Sequence, residues 1–316
     1  MSHFIDYEYA DLLEQIINDG HDDDCRTGME TRSIFGARME MDISDGKVPL
    51  LSGSRRPFKA IMHELIWMLS GDTNIRYLKD HNVSIWDQWI DPTTAEYDEQ
   101  GQLVAGDLPN IYQKQWRKWR HVDQHNGEVR YIDQIENVLN TLRTNPTCRR
   151  MLISAWNVGE INSMALPPCH LLVQFKSRKL TNEETVDRYG LSYEQAKEQG
   201  LAVRALSSQL YMRSSDVAIG LPFNIVFYSV MTQIFANETN HIPEKFIYVG
   251  GDTHIYHDQF DGVEQYIKQV EEEMDILSLP VVTITPNVAW NELTISDFLL
   301  SGYLPQPAIK FPKASA

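Results

Sequence analysis

Apolar residues recur at the three- and four-residue spacing of amphipathic helices in four parts of the chain. Gly20 and Gly71 follow two of these runs, at the position where a helix typically ends, and Pro57 precedes the second run. We therefore predict helices at 9–17, 58–70, 132–142 and about 257–274.

Short runs of β-branched and aromatic residues predict strands at 151–156, 171–175, 206–212 and 281–285. The segment 223–236 follows Pro222 and is apolar around its whole circumference. A helix without a polar face is typical of a protein centre, so we expect this helix to be buried.

Two polar stretches interrupt these elements, an acidic and turn-rich one near 91–107 and a charged one near 177–204. Both are interpreted as surface insertions, because neither resembles a linker between domains. With no repeat or low-complexity tract, we predict a single domain over residues 1–316.

Composition and charge exclude some classes of function. The chain has 316 residues and a formal net charge of −16, with no basic stripe, which argues against general nucleic-acid binding. Local arginines still allow small anionic ligands. The spacing of its three cysteines, Cys25, Cys148 and Cys169, fits neither a zinc site nor a disulfide framework. We therefore expect no bound metal, and a location in the reducing cytoplasm. The sequence shows no signal peptide and no run of membrane-spanning length, so we expect no membrane partner.

The stretch Ala165-Leu166-Pro167-Pro168-Cys169-His170 carries the clearest candidate chemistry. Two prolines should end strand pairing, which places Cys169 where a loop enters a strand. Such a thiol is a nucleophile if a cation lowers its pKa, whereas most free cysteines are structural. A cysteine–histidine hydrolase is disfavoured, since adjacent residues of an extended chain point to opposite faces.

Arginines and hydroxyl groups at strand ends are candidate phosphate ligands. They are Arg26 in a turn-like segment, the pair Arg149 and Arg150 before the 151–156 strand, and Arg213 with Ser214 after the 206–212 strand. Each of them alone could equally be a solvated surface group.

Several other side chains have both a functional and a structural interpretation. Asn224, near the start of the buried helix, could read a uracil edge or cap the helix. Glu64 lies either on a solvent face or in an apolar cleft that raises its pKa. Trp86 and Trp89 could stack on a flat heterocycle or belong to the core.

Two loops complete the set of candidates. Asp216 is placed in a loop that leads to the buried helix through Gly220. A turn at Gly250-Gly251 is expected to feed an extended segment in which His254 and Tyr256 face the same side.

Together these motifs resemble the thymidylate synthase family, in order and over nearly the whole chain. The segments that carry the resemblance are Arg26-Thr27-Gly28, Ser33-Ile34-Phe35-Gly36, His63-Glu64-Leu65-Ile66-Trp67, Gly71-Asp72-Thr73-Asn74, Ile85-Trp86-Asp87, Tyr112 with Gln115-Trp116-Arg117, Arg149-Arg150, Ser154-Ala155-Trp156-Asn157, the cysteine loop, 213–224 and Gly251-Asp252-Thr253-His254-Ile255-Tyr256. The resemblance implies a mixed α/β (α+β) fold whose large sheet, packed with helices, forms a homodimer interface.

The resemblance also implies roles. Cys169 would bond to C6 of dUMP, Glu64 would organise proton transfer, Tyr112 would assist C5 deprotonation, and Arg213 would favour the thiolate. The one-carbon donor would be 5,10-methylenetetrahydrofolate. The implied dUMP ligands are Arg26, Arg213, Ser214, Asn224, His254 and Tyr256, with Arg149 and Arg150 from the other subunit. The implied folate site is Ile85, Trp86, Trp89, Leu166, Asp216, Gly220 and Phe223, with Asp216 also counted as catalytic.

Most departures from the family pattern fall at the folate end. Gln113 stands where the family usually has a glycine, Ser54 where it has a lysine, Gln88 where it has an acidic residue, and Ala218 where it has a bulky residue. The sequence ends with Pro312-Lys313-Ala314-Ser315-Ala316, which lacks the bulky apolar residue usual in the family. A weaker closure would admit water, so dUMP hydroxymethylation stays open beside methylation. A nucleotide-binding protein without catalysis is a third interpretation, which the retained Cys169 and Glu64 disfavour.

Overall fold

The structure is a computed structural model that describes residues 5–24, 28–273 and 279–312. Within these ranges no helix combines the length and apolar composition that a membrane crossing requires.

The predicted helices are confirmed, with small shifts at their ends. Gly71 ends its helix in the left-handed conformation (φ 76°), as expected of a C-terminal glycine. Asp133 caps the helix that follows it, so Ile132 belongs to a strand instead. The helices are α1 (Ile5–Asp19), α2 (Phe58–Ser70), α3 (Arg76–Asp80), α4 (Tyr112–Arg117), α5 (Gln134–Thr144), α6 (Asn182–Tyr189), α7 (Tyr193–Glu198), α8 (Gly220–Glu238) and α9 (Phe260–Glu273).

A six-stranded mixed sheet forms the framework, in the order β1-β2-β10-β9-β8-β7. Its neighbours are antiparallel except β9 and β10, which are parallel and joined by α8. Small hairpins pair β3 with β4, β5 with β6, and β11 with β12. The strands are β1 (His21–Asp24), β2 (Glu30–Asp42), β3 (Glu96–Tyr97), β4 (Leu103–Ala105), β5 (Trp119–Val122), β6 (Val129–Ile132), β7 (Leu152–Ser154), β8 (His170–Lys179), β9 (Arg204–Asp216), β10 (Ile242–Tyr256), β11 (Val281–Ile284) and β12 (Phe298–Ser301).

Helix α8 is buried, as its uniformly apolar sequence predicts. It packs on one face of the sheet against β9 and β10. The opposite face, here called the open face, is covered by no other element of this chain among the described residues. It presents Leu172, Gln174, Gln209, Tyr211, Ile247 and Val249, all half-buried or exposed.

The polar stretch near 177–204 is more regular than its sequence suggested. Strand β8 continues to Lys179, which pairs with Arg204 of β9, and α6 and α7 lie between them. Capping boxes begin both helices, at Thr181 and at Ser192. Helices of six to eight residues have too few turns for a clear apolar period, so this order escaped prediction. The stretch near 91–107 likewise contains the β3–β4 hairpin.

Two local predictions were wrong for one reason, the parallel ladder between β9 and β10. Ser214 pairs with Asp252, and Asp216 pairs with His254, so β9 continues through Arg213 to Asp216 instead of ending at 212. Gly250-Gly251 lies inside β10 and forms no turn. A Cβ atom at Gly250 would collide with the hydroxyls of Tyr248 and Thr253, which explains the glycine.

Candidate active site

Cys169 lies where the sequence predicts, directly after the two prolines and directly before β8. Its backbone N–H donates to the Tyr112 hydroxyl (2.8 Å), and its carbonyl oxygen accepts from the Arg213 N–H (2.9 Å). The half-buried thiol is therefore fixed between α4 and β9.

Arg213 braces the cysteine loop. Its Nε donates to the Pro168 carbonyl (2.8 Å) and its Nη2 to the Pro167 carbonyl (2.9 Å). Nη2 also lies 3.8 Å from Cys169 Sγ, and the guanidinium stands over the Trp156 ring. The expected cation is thus beside the thiol.

The cation does not decide the protonation of the thiol. Burial raises the pKa of Cys169 above its ordinary value, and this effect outweighs the opposing charge of Arg213. The nearby Asp216 carboxyl raises that pKa further. Arg213 therefore favours the thiolate, as the resemblance implies, while burial and Asp216 oppose it.

A buried aromatic stack holds Tyr112 in place. Its ring lies parallel to the His170 ring, with 3.8 Å between centroids, and His170 Nδ1 lies 2.6 Å from the Tyr228 hydroxyl. Burial lowers the pKa of His170 to about 3, so the imidazole is neutral. His170 is therefore a packing partner of Tyr112, which agrees with the argument against a cysteine–histidine pair.

Glu64 lies in a cleft instead of on a solvent face. Trp86 Nε1 donates to Glu64 Oε1 (2.8 Å), and the Trp86 ring lies 5.4 Å from Trp89 and 6.0 Å from Tyr112. Burial raises the pKa of Glu64 to about 7, although the Trp86 hydrogen bond opposes it. Glu64 can therefore accept or release a proton near neutral pH.

Glu64→Gln is expected to stabilise the protein increasingly as the pH rises from about 4.5 to 7. The unfolded carboxyl loses its proton near pH 4.5, whereas the folded one keeps it to about pH 7, so unfolding becomes easier across this window. A shift of this size corresponds to about 3 kcal/mol at most. Urea unfolding at pH 5 and pH 8 would measure the difference. Glu271→Gln, at an exposed site on α9, is the control, and parallel pH dependence in all three proteins would contradict the assigned pKa.

Asp216 and Asn224 lie on opposite sides of the turn into α8. The Asp216 carboxyl accepts from the Ile219 N–H (3.0 Å) and from Gln259 Nε2 (3.4 Å), and burial raises its pKa. Asn224 does not cap α8; its Nδ2 donates to the sulfur of Met212 (3.6 Å). A side chain at Gly220 would stand between Asp216 and Asn224, so glycine keeps this space open.

His254 and Tyr256 share one side of β10, as alternation predicts. Their rings are 5.3 Å apart, and His254 Nδ1 lies 2.7 Å from Asp252 Oδ1. Ser214 is placed beside them, because it pairs with Asp252 across the parallel ladder.

Arg149 and Arg150 lie apart from this cluster. Both are exposed in the loop before β7, and no hydrogen bond or ion pair among the described residues engages either guanidinium. Arg149 borders a cavity of about 730 Å³ on the open face, with Cys148, Gln174 and Gln209. Arg26 and the terminal residues 313–316 fall outside the described residues.

Of the predicted folate residues, Trp86 contacts Glu64 and Trp89 packs against Trp86. Trp86 is buried and Trp89 half-buried, Leu166 and Phe223 pack on the main core, and Ile85 is exposed. Their apolar and aromatic surfaces fit a flat heterocycle.

Two of the residues that depart from the family pattern, Ser54 and Gln113, are buried and make hydrogen bonds within the fold. Ser54 is fully buried, and its hydroxyl accepts the Ile309 N–H (3.0 Å), so it holds the C-terminal segment. Gln113 is also fully buried, and its Nε2 donates to the Asp72 carbonyl (2.8 Å), which ties α4 to the end of α2.

The sequence analysis did not single out three residues whose side chains contact the candidate site residues: Tyr228, Met212 and Gln259. Tyr228 was detectable as one of three hydroxyl-bearing residues of α8, with Ser229 and Thr232, and Met212 as the next inward-facing position of β9 after Leu210. Gln259 carried no signal, since only the folded chain brings its amide to Asp216.

A comparison with known families now decides the membership. The family model described as Thymidylate synthase matches residues 7–315 of the 316. The chain belongs to the thymidylate synthase family. Thymidylate synthases are methyltransferase-type enzymes that bind dUMP and use methylenetetrahydrofolate as co-substrate, and the mixed sheet packed with helices agrees with their fold.

Proposed function

We propose that this protein is a thymidylate synthase that methylates dUMP at C5 to give dTMP, with 5,10-methylenetetrahydrofolate as co-substrate. The observation that carries the proposal is the meeting of three groups. In a chain of this family, Cys169 is contacted from two sides: its backbone N–H donates to the Tyr112 hydroxyl, and the Arg213 guanidinium lies 3.8 Å from its sulfur.

Cys169 would form the covalent bond to C6 of dUMP, which makes C5 nucleophilic. Burial raises the pKa of the thiol, so its proton would pass to solvent or to a base of the site before the sulfur bonds to C6, and Arg213 would favour the thiolate that results. Tyr112, whose hydroxyl is held at the Cys169 N–H, would assist removal of the C5 proton. Glu64, with a pKa of about 7, would organise proton transfer to and from the pyrimidine.

The nucleotide would be held from three directions. Asn224 would read the uracil edge, His254 and Tyr256 the ribose, and Arg26, Arg213 and Ser214 the phosphate. We also propose a homodimer through the open face, in which Arg149 and Arg150 reach the phosphate site of the other subunit. Their exposed and unengaged guanidinium groups support this arrangement.

The folate would bind along Ile85, Trp86, Trp89, Leu166, Asp216, Gly220 and Phe223. It would supply the one-carbon unit and the hydride. The protein would orient it and exclude water from the pyrimidine, because water attack would give 5-hydroxymethyl-dUMP in place of dTMP.

Product analysis tests the proposal. Purified protein is incubated with dUMP and methylenetetrahydrofolate, and both products are identified. We expect dTMP and dihydrofolate. Recovery of 5-hydroxymethyl-dUMP with tetrahydrofolate would replace methylation by hydroxymethylation. Nucleotide binding without either product would leave only the binding-protein interpretation.

A further inference from the structure

An asparagine by itself does not distinguish uracil from cytosine. Its amide offers one acceptor and one donor group, and rotation by 180° about the terminal bond exchanges them. In one orientation Oδ1 and Nδ2 match N3–H and O4 of uracil, and in the other they match N3 and the amine of cytosine. Some neighbouring group must therefore fix the orientation of Asn224.

The structure places one such group beside the amide. Asn224 Nδ2 lies 3.6 Å from the sulfur of Met212, which is only 2 % exposed. Among the described residues, this sulfur is the only hydrogen-bond partner of the Asn224 side chain, and Oδ1 is left for a ligand. A thioether sulfur accepts a hydrogen bond and has no proton to donate. It can therefore face Nδ2 but gains nothing from facing Oδ1.

The position of Met212 is fixed by the sheet. Met212 pairs with His170 across the β8–β9 ladder, and it faces α8 on the same side of β9 as Leu210. His170 is in turn held by the Tyr112 ring and the Tyr228 hydroxyl. The backbone of Met212 is thus held in the ladder, and its side chain is buried where Asn224 lies.

We propose that Met212 is a specificity-determining residue: it holds the Asn224 amide in one orientation, which under the proposed function is the orientation that reads uracil, and so favours dUMP over dCMP. The inference rests on the proposed function, since it assigns Asn224 to the pyrimidine edge. Met212 touches no substrate; it acts through the amide of Asn224.

Met212→Leu tests this inference, because leucine has a similar volume and no acceptor. Dissociation constants for dUMP and dCMP are measured by calorimetry on the full chain, without folate. The preference for dUMP over dCMP is expected to fall about threefold to tenfold, the range of one modest hydrogen bond, mainly through tighter dCMP binding.

Two further variants separate orientation from packing. Met231→Leu changes a buried methionine two turns further along α8 and should leave the preference unchanged. In an Asn224→Ala background, Met212→Leu should have no further effect on the preference. A Met212→Leu protein that binds both nucleotides equally more weakly, or that keeps the full preference, would overturn the inference.

The same measurements distinguish this failure from a failure of the proposed function. If the unaltered protein binds dUMP but Met212→Leu does not change the preference, only the role of Met212 is lost. If the unaltered protein binds neither nucleotide, the dUMP proposal and the role of Met212 both fail.

Discussion

Cys169→Ala is expected to abolish formation of dTMP, with a loss of at least about 10⁴-fold, while dUMP still binds. The reason is that no other group in the described site can form the bond to C6. The His170 ring is buried against the Tyr112 ring with its Nδ1 engaged by the Tyr228 hydroxyl, and the Tyr112 hydroxyl, whose pKa is raised well above its ordinary value, is a poor nucleophile. Turnover is measured with dUMP and methylenetetrahydrofolate, and binding by calorimetry with dUMP alone.

Cys148→Ser is the matched control, since this second half-buried cysteine lies away from Tyr112 and Arg213. Serine is used because the Cys148 sulfur accepts the Arg150 N–H (3.4 Å), and a hydroxyl keeps an acceptor there. This variant should retain dUMP turnover. Activity above about one per cent in the Cys169 variant would contradict the proposed covalent step.

The second large effect concerns the two subunits. The double variant Arg149→Ala/Arg150→Ala should lose at least about a hundredfold in kcat/KM, because two charge-assisted phosphate contacts disappear. When this double variant is co-expressed with the Cys169→Ala variant, the mixture of the two inactive chains should regain activity. A heterodimer has one site with both an intact thiol and intact arginines, so equal mixing predicts about a quarter of the normal activity.

Activity of the unmixed arginine variant at the normal level would contradict the shared site. Absence of recovery on mixing would place both arginines in the subunit that holds Cys169. Arg120→Ala, at an exposed position on β5, serves as the charge control and should change neither result.

Local patterns in the sequence predicted the long helices, because an apolar period is visible over several turns, and missed the short helices α3, α4, α6 and α7. Apolar spacing, Pro57 and Gly71 delimited α2, and uniform apolarity identified α8 as buried. The ends of β9 and β10 were mistaken, since their extension depends on parallel pairing between segments about forty residues apart.

The candidate site was reached through family motifs more than through residue types. Cys169, Arg213, Tyr112, Glu64, Trp86 and Asp216 do come together in the structure, but no sequence spacing shows that they would. The protonation of the site was beyond the sequence, because the pKa values of Cys169 and Glu64 depend on burial. The contacts that Met212 makes with Asn224, and Gln113 with Asp72, likewise appear only in the folded chain.

The helical segment between β8 and β9 has a consequence for how such a chain can vary. Its two ends are held side by side where Lys179 pairs with Arg204, at the far end of the ladder from Cys169 and Arg213. Arg178, just before this segment, forms ion pairs with Glu184 of α6 and Glu244 of β10. Length can therefore be gained or lost between 180 and 203 without shifting the register of β8 and β9. This end of the hairpin is a place where evolution, or a protein engineer, can add a module while the chemistry stays in place.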